Sequence, residues 1–458
     1  MAEVAELKKP DAAKPAKGKK KADLNARILS KLRACKPRNE SAGTFEVTRT
    51  SKEVLSKVSY VLTTGIEPFD DLVGGFPVGR ITEVFGLESC GKTQLMIRMA
   101  VRGQTLKISQ VQRHADGSVT FEPVKGKKIY VHVLYIDNEC SIDEDEQIIV
   151  DGVEMDVHLA RCDTVDQLFK MVDITVDEVV AAQKEDKDTL YFVVVITDTI
   201  ASTSSKEEME SDWGTVDYSR MPKQLREGFR VLNRKVNRAN VAWICTNQVS
   251  DSFKAAAGGK RKNKSSTPDP DDFIAPGGKA LKFFATHRVF MWGTQSNYKL
   301  YPTSKFASGL LIGFKSVKNR VKKPKREGRM VILFGDENKR GGGLNSLYSK
   351  LETMIYMGVA KMSESGKEIS FLFNKHHVPT TTYGVAETKT TLDEDDEKDV
   401  PKRGNKNPSI GCRGEWAAYY EEHKTDLDAL YTLAIKKAFA MEAPPEDGED
   451  DDEYEEEA

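Results

Sequence analysis

No two cysteines of this chain form a C-x-x-C pair: Cys35, Cys90, Cys140, Cys162, Cys245 and Cys412 are scattered, and no histidine stands at metal-ligand spacing beside them. That pattern excludes a structural zinc site and points to a reducing compartment. The histidines (His114, His132, His158, His287, His376, His377 and His423) show no ligand spacing among themselves either. Nowhere do about 18 apolar residues run together, so no membrane-spanning helix is expected. Near the N-terminus Lys8, Lys9, Lys14, Lys17, Lys19, Lys20 and Lys21 have no apolar stretch behind them. This is not a secretory signal, and a cytoplasmic location is expected. Glycine (33) and proline (17) are too few for a collagen-like chain, and no internal repeat is visible.

What is present is a globular composition, 39% apolar and 31% charged over 458 residues. That length allows two or three domains. The net charge of −2 hides a polarity between the ends. Residues 1–40 carry 12 Lys/Arg against 5 Asp/Glu, whereas residues 442–458 hold 11 acids and no base. Both ends read as solvated tails, the acidic one either solubilising or competing with nucleic acid for basic surface. Within the basic arm (1–43), Leu24, Ile28 and Leu32 recur at helical spacing, which predicts a short oligomerisation helix between Asp23 and Ala34.

Between residues 44 and 335, apolar runs alternate with helical patterns: Ile81–Phe85, Ile129–Ile136, Tyr191–Ile196, Val241–Cys245 and Val289–Met291. The fold class expected is α/β with a mostly parallel central sheet. Residues 103–128 interrupt this core as an inserted hairpin, with a turn at Asp116-Gly117, and residues 251–276 read as a mobile loop. Residues 336–441 are expected to form a small α+β C-terminal domain with an acidic loop (393–399) and a final helix, Glu415–Ala440. Residues 442–458 would be a disordered acidic tail.

The segment Gly86-Leu87-Glu88-Ser89-Cys90-Gly91-Lys92-Thr93 fits G-x-x-x-x-G-K-[ST] at every fixed position, between a strand-like run and a helical one. Backbone N–H groups of such a loop turn inward around phosphate oxygens at a helix N-terminus. Lys92 would reach the β- and γ-phosphates and Thr93 would ligate Mg²⁺. Asp198, closing the run Tyr191–Ile196 through Thr197, is the candidate magnesium carboxylate. Glu139, after Asp137-Asn138, can serve as base or water-positioning group. Gln248, after Thr246-Asn247, can sense the γ-phosphate.

Taken in order, Thr64-Gly65-Ile66, the stretch Gly75–Gly86, the phosphate loop, Asp137-Asn138-Glu139, Asp198, Asn247-Gln248, Gly277–Phe283 and Val317-Lys318-Asn319-Arg320 resemble the RecA/RadA recombinase core over roughly residues 60–335. The resemblance implies a RecA-like P-loop ATPase. It implies a filament, a homo-oligomer on single-stranded DNA, that uses ATP and Mg²⁺ to pair that strand with homologous duplex and exchange strands. Single-strand-binding or loader proteins are further partners to expect.

By the same resemblance Glu139 is the catalytic glutamate and Asp143 a nucleotide-contacting acid. Lys318 and Arg320 reach the γ-phosphate on the neighbouring subunit, and Phe283 stands at a subunit interface or in the core. Two loops are similar to the family's DNA-binding loops. One spans 202–220 with Trp213 and Tyr218. The other spans 250–276 with Phe253, Lys254, Lys260, Arg261, Lys262, Lys264 and Phe273, followed by Gly277 and Gly278. Cations there would track phosphates while aromatics stack on bases. The run Lys315–Arg329 adds eight basic residues against one acid.

Lys279, Ser89-Cys90, the insertion and the long second loop depart from bacterial members and suggest a divergent one, such as a large bacteriophage encodes. Two other readings share the phosphate loop: a hexameric helicase-type ATPase, and a recombination mediator or paralogue that exchanges no strands.

Overall fold

The computed structural model of the chain describes residues 58–115, 117–142, 147–210, 220–251, 268–275, 279–335, 343–372 and 408–440. The described residues all belong to one compact unit that starts at Val58; residues 1–57 lie outside the described residues. The expected N-terminal helix, the acidic loop and the acidic tail therefore lie outside them too.

The chain begins with β1 (Tyr60–Leu62), α1 (Glu67–Leu72) and β2 (Phe76–Pro77), then β3 (Arg80–Gly86) and α2 (Lys92–Gln104). The pair β4 (Ile108–Arg113) and β5 (Val119–Pro123) precedes β6 (Lys128–Asp137), and a short hairpin of β7 (Ile149–Val150) and β8 (Val153–Glu154) precedes β9 (His158–Ala160). Next come α3 (Val165–Glu185), β10 (Thr189–Asp198), α4 (Lys206–Glu210), α5 (Arg220–Arg238) and β11 (Val241–Gln248). β12 (Ser250–Asp251), β13 (Phe273–Ile274) and α6 (Ala280–Phe284) lead into a meander: β14 (His287–Tyr298), β15 (Gly309–Lys318), β16 (Glu327–Leu333) and β17 (Gly343–Asn345). The last elements are α7 (Ser346–Tyr356), β18 (Ala360–Met362), β19 (Ile369–Phe371), β20 (Ser409–Ile410), α8 (Trp416–Glu422) and α9 (Lys424–Ala440).

The principal sheet has nine strands in the order β17-β16-β15-β14-β3-β11-β10-β6-β9. From β14 to β9 every pairing is parallel; the β14–β17 meander is antiparallel. Parallel strands buried on both faces read as continuous apolar runs, and here the faces part by strict alternation. Phe192, Val194 and Ile196 of β10 pack with Leu95, Met96 and Met99 of α2. Val193 and Val195 pack with Leu168 and Val172 of α3 and with Leu225, Phe229 and Leu232 of α5. Trp243 of β11 is fully buried between α3 and α5, 5.1 Å from the Phe229 ring, and its indole N–H donates to Thr197 Oγ1 at 3.1 Å. A side chain so buried stabilises the fold by about 2–3 kcal/mol.

Local signals agree with these boundaries. Thr164 and Gln167 form a capping box that starts α3, and Asn345 caps α7 by accepting from the Tyr348 N–H at 3.0 Å. The hairpin β4–β5 joins a second sheet, in the order β2-β1-β4-β5, so the segment expected as an insertion packs edge-on against β1.

One expectation needs correction. The final helix breaks at His423 into α8 and α9, and the His423 ring lies 4.4 Å from Tyr419. Among the described residues, no separate hydrophobic core follows Gly335. Leu351 and Met354 of α7, Trp416 of α8, and Leu427 and Tyr431 of α9 belong to the same cluster as Phe69 of α1 and Val84 of β3.

A buried cation ties these ends of the chain together. Lys350 is 3% exposed, and its Nζ contacts Glu67 at 2.7 Å, Asp428 at 2.8 Å and Tyr420 OH at 3.0 Å. Its carboxylate and phenol partners outweigh burial and raise its pKa above the usual lysine range. Tyr431 OH adds a hydrogen bond to Asp71 at 2.9 Å. Glu67 and Asp428 are about half exposed, so water can replace the lysine for them, whereas nothing replaces them for the lysine. Lys350→Met should therefore cost about 1 kcal/mol. The double variant Glu67→Gln/Asp428→Asn, which leaves the buried ammonium without a counter-charge, should cost about 3 kcal/mol. Equilibrium urea unfolding measures both, and the reverse ranking would remove desolvation of Lys350 as the governing term.

Candidate nucleotide site

Strand register brings the site together. β3, β6, β10 and β11 run parallel and end along one edge, where Gln248 pairs with Gly86 and Asp198 with Asp137. The phosphate loop leaves β3 at Gly86 and enters α2 at Lys92. Two of its positions need glycine. A Cβ on Gly86 would lie 2.0 Å from the Met291 carbonyl oxygen, and Gly91 has φ +78° with the Ile332 side chain 2.6 Å from where a Cβ would be. Lys92 Nζ donates to the carbonyls of Leu87 at 2.7 Å and Gly86 at 3.1 Å, so the ammonium lies inside the loop's concavity.

Beside it, Asp198 is 1% exposed and held on both oxygens: Thr246 Oγ1 donates to Oδ1 at 2.5 Å and Tyr135 OH to Oδ2 at 2.9 Å. Burial and the Asp198 charge push the Tyr135 phenol well above its ordinary pKa, which keeps it a neutral donor.

The loop after β6 is fixed by Asp137, whose carboxylate accepts from Ser141 N at 3.2 Å and Ile142 N at 3.0 Å. The Asn138 N–H donates to the Asp198 carbonyl at 2.8 Å. This loop presents Glu139, which accepts a short hydrogen bond from Gln248 Nε2. Burial, together with the nearby Asp198, raises the Glu139 carboxyl above the ordinary glutamate range; Lys92 and the Gln248 hydrogen bond oppose that rise.

A cleft of about 1140 Å³ opens over these groups. Its floor is the phosphate loop with Glu139 and Gln248; its walls are residues 147–152 on one side and Ile332, Leu333 and Phe334 on the other. Phe334, 50% exposed, adds an aromatic ring to that lining. The donor set fits a nucleotide with magnesium: inward N–H groups and an ammonium for phosphate, and hard oxygens from Thr93 and Asp198 for the cation. Among the described residues no cluster of three or more His, Cys, Asp or Glu is arranged to hold a metal by itself.

Sequence reasoning missed Tyr135, Thr246 and Phe334. The first two are strand residues whose partner lies on another strand, so no local spacing announces them. Phe334 carries only the weak signal of an aromatic just after an apolar strand.

Lys318 and Arg320 stand elsewhere. Lys318 pairs in register with Arg288 at the start of β14, three residues before the partner of Gly86, roughly 10 Å back along the strands. They occupy the opposite edge of the sheet from the phosphate loop and do not line its cleft. There Lys318 Nζ donates to the Phe283 carbonyl at 3.4 Å, and burial with Arg288 and Arg320 nearby lowers its pKa. The Phe283 side chain is 70% exposed, which excludes the core alternative for it. Between the two edges, Glu83 forms a buried ion pair with Arg288 at 2.5 Å and accepts from Asn247 Nδ2 at 3.2 Å.

Asp143, Trp213, Tyr218, Phe253, Lys254, Lys260, Arg261, Lys262, Lys264, Gly277 and Gly278 lie outside the described residues. The base of the second loop is described: β12 pairs with β13. Phe273 is partly buried there, 5.4 Å from Phe290 and packed on the cluster of Phe85, Phe290 and Trp292, where it anchors the base of the loop. The basic run Lys315–Arg329 is also partly structural. Arg329, 5% exposed, stacks 3.5 Å over Tyr356; Arg326, 3% exposed, lies over Phe439; and Lys315 pairs with Glu327.

Comparison with known proteins matches this geometry. The family described as the RecA N-terminal domain matches residues 40–338. Protein RecA of Thermus aquaticus is 26% identical over 293 residues, covering 64% of this chain and 70% of that protein. Protein RecA of Aquifex pyrophilus is 27% identical over 295 residues, covering 64% and 68%. Protein RecA of Bacillus mycoides is 23% identical over 351 residues, covering 70% and 85%. With its phosphate loop, acidic strand ends and eight of the nine strands of the principal sheet inside the matched span, the chain belongs to the RecA family.

Proposed function

We propose that this protein is a DNA-dependent ATPase that assembles as a filament on single-stranded DNA and pairs it with homologous duplex for strand exchange. The observation that carries the reading is the separation of two half-sites. The phosphate loop with Glu139 lies at one sheet edge, and Lys318, Arg320 and the exposed Phe283 lie at the other. A head-to-tail assembly brings opposite edges together, so that each cleft is completed by the next subunit.

Within one cleft, Lys92 and the loop N–H groups bind the phosphates, and Thr93 and Asp198 hold Mg²⁺. Held by Thr93 and Asp198, Mg²⁺ would supply charge neutralisation at the phosphates. Glu139 takes the proton of the attacking water, and Gln248, bonded to Glu139, orients that carboxylate and passes the state of the γ-phosphate to the loop that β12 opens. Lys318 and Arg320 of the neighbour offset charge on the transferred phosphoryl group, which makes hydrolysis depend on assembly. Asp143 would contact the nucleotide; Trp213, Tyr218 and the Lys254–Lys264 cations would hold the DNA strand.

The direct test of function is strand exchange between circular single-stranded DNA and homologous linear duplex, with ATP and Mg²⁺. Product formation lost in Lys92→Ala is expected. Slow hydrolysis with no homologous pairing would favour the mediator, and processive unwinding would favour the helicase.

Two further outcomes follow from the geometry. A general base must be ionised, and the Glu139 carboxyl is raised, so kcat should fall on the acid side at a higher pH than for an ordinary glutamate. Gln248→Ala removes a hydrogen bond that favours the carboxylate, and its acid limb should move further up in pH; a limb that moves down contradicts the assignment. In mixed filaments, Lys318→Ala subunits, which keep a working phosphate loop, should regain hydrolysis beside Lys92→Ala subunits, which keep working cations. Failure of co-assembled filaments to recover activity would place Lys318 in cis.

A further inference from the structure

The β4–β5 hairpin covers the chain that carries Lys318 and Arg320. Val321, 2% exposed, packs with Val58 and Val61 beneath Val111, Val119 and Phe121 of the hairpin. Arg113, the last residue of β4, donates from Nη1 to the Val321 carbonyl and from Nη2 to the Arg320 carbonyl, each at 3.1 Å. Lys322 follows, with Nζ 5.2 Å from the centre of the Phe121 ring.

The same turn is held from the core side by Asn319. Its Nδ2 donates to the Val73 carbonyl at 2.7 Å, and its Oδ1 accepts from Val321 N at 2.7 Å and Lys322 N at 2.9 Å. The backbone of residues 319–322 is thus gripped on both faces. A guanidinium presents its N–H groups in a fixed planar fork, so Arg113 sets two successive peptide planes relative to each other. The Arg320 side chain projects from one of them into solvent. A cation that must meet a phosphoryl group on another subunit gains from such a fixed base, because orientation settled in advance lowers the barrier of the chemical step.

We propose that the β4–β5 hairpin is a positioning element for the cations acting across the subunit interface, with Arg113 as its positioning residue. The inference rests on the trans role of Lys318 and Arg320. Arg113 meets only the backbone of that segment and takes no part in the chemistry itself.

The test uses full-length filaments on single-stranded DNA. Arg113→Ala should lower kcat about tenfold, the scale of two lost hydrogen bonds, with KM for ATP unchanged. Arg113→Lys, which can serve only one carbonyl at a time, should fall between it and the parent chain. Subunit mixing gives the direction. Arg113→Ala should recover beside Lys92→Ala, whose cations are well placed, and should not recover beside Lys318→Ala, because neither partner then supplies a positioned cation.

If Arg113 served only its own phosphate loop, the mixture with Lys318→Ala would recover instead, and the proposal would fall. An unchanged kcat would overturn it as well. The control mixture of Lys318→Ala with Lys92→Ala separates the two ideas: loss of recovery there removes trans action itself, whatever Arg113 does. Should thermal unfolding show Arg113→Ala to be unfolded at the assay temperature, Arg113→Lys carries the same mixing pattern at smaller depth.

Discussion

The parallel register of β3, β11, β10 and β6 is the constraint on which the rest depends. It brings Gly86, Gln248, Asp198 and Asp137 to one edge, and the loop after β6 then sets Glu139 against Gln248. Because side chains alternate, a slip of one residue in β10 would turn Phe192, Val194 and Ile196 away from α2 and move Asp198 out of reach of Tyr135 and Thr246. Core packing and site geometry are therefore enforced by the same alternation. The large buried aromatic Trp243 and the helices α3 and α5 hold the strands from the opposite face.

A sheet has two edges, and this one uses both. The C-terminal edge of the parallel strands carries the phosphate loop. The other carries Lys318, Arg320 and Phe283, linked to the first through the buried pair Glu83–Arg288 and the amide of Asn247. A charge pair removed from water is held only where each oxygen and N–H finds a partner, and here the ring of Phe85 lies 4.3 Å from the Arg288 guanidinium. Stability of the core and placement of Lys318, which pairs in register with Arg288, are joined at that pair. Arg113 performs a comparable task from outside, and Lys350 fastens the C-terminal helices onto α1.

Much of this was legible in the sequence. The phosphate loop is contiguous, and its glycines answer to geometry that any chain must meet. Asp198 and Glu139 end apolar runs long enough to identify buried strands, so their edge followed from strand direction. What was not legible depends on partners far apart in the chain. Lys350 reads as an ordinary surface lysine of a helix, and only Glu67 and Asp428 make it a buried clamp. Phe273 and Arg329 sit in stretches rich in basic or flexible residues, yet each packs onto an aromatic cluster. Glu415 to Ala440 reads as a single helix, and the break at His423 accompanies the packing of Trp416, Tyr420 and Leu427 on one core. Arg113 in a hairpin gives no local hint of the carbonyls it meets more than 200 residues later.

In the proposed filament one chain holds half of each active site, and DNA brings in the other half by assembling neighbours. The rate of ATP hydrolysis per subunit, measured against protein concentration with and without single-stranded DNA, reads this out. The rate should be low without DNA, rise strongly with it, and depend cooperatively on protein concentration. A per-subunit rate independent of both DNA and concentration would contradict this arrangement, because a complete site would then exist within a single chain.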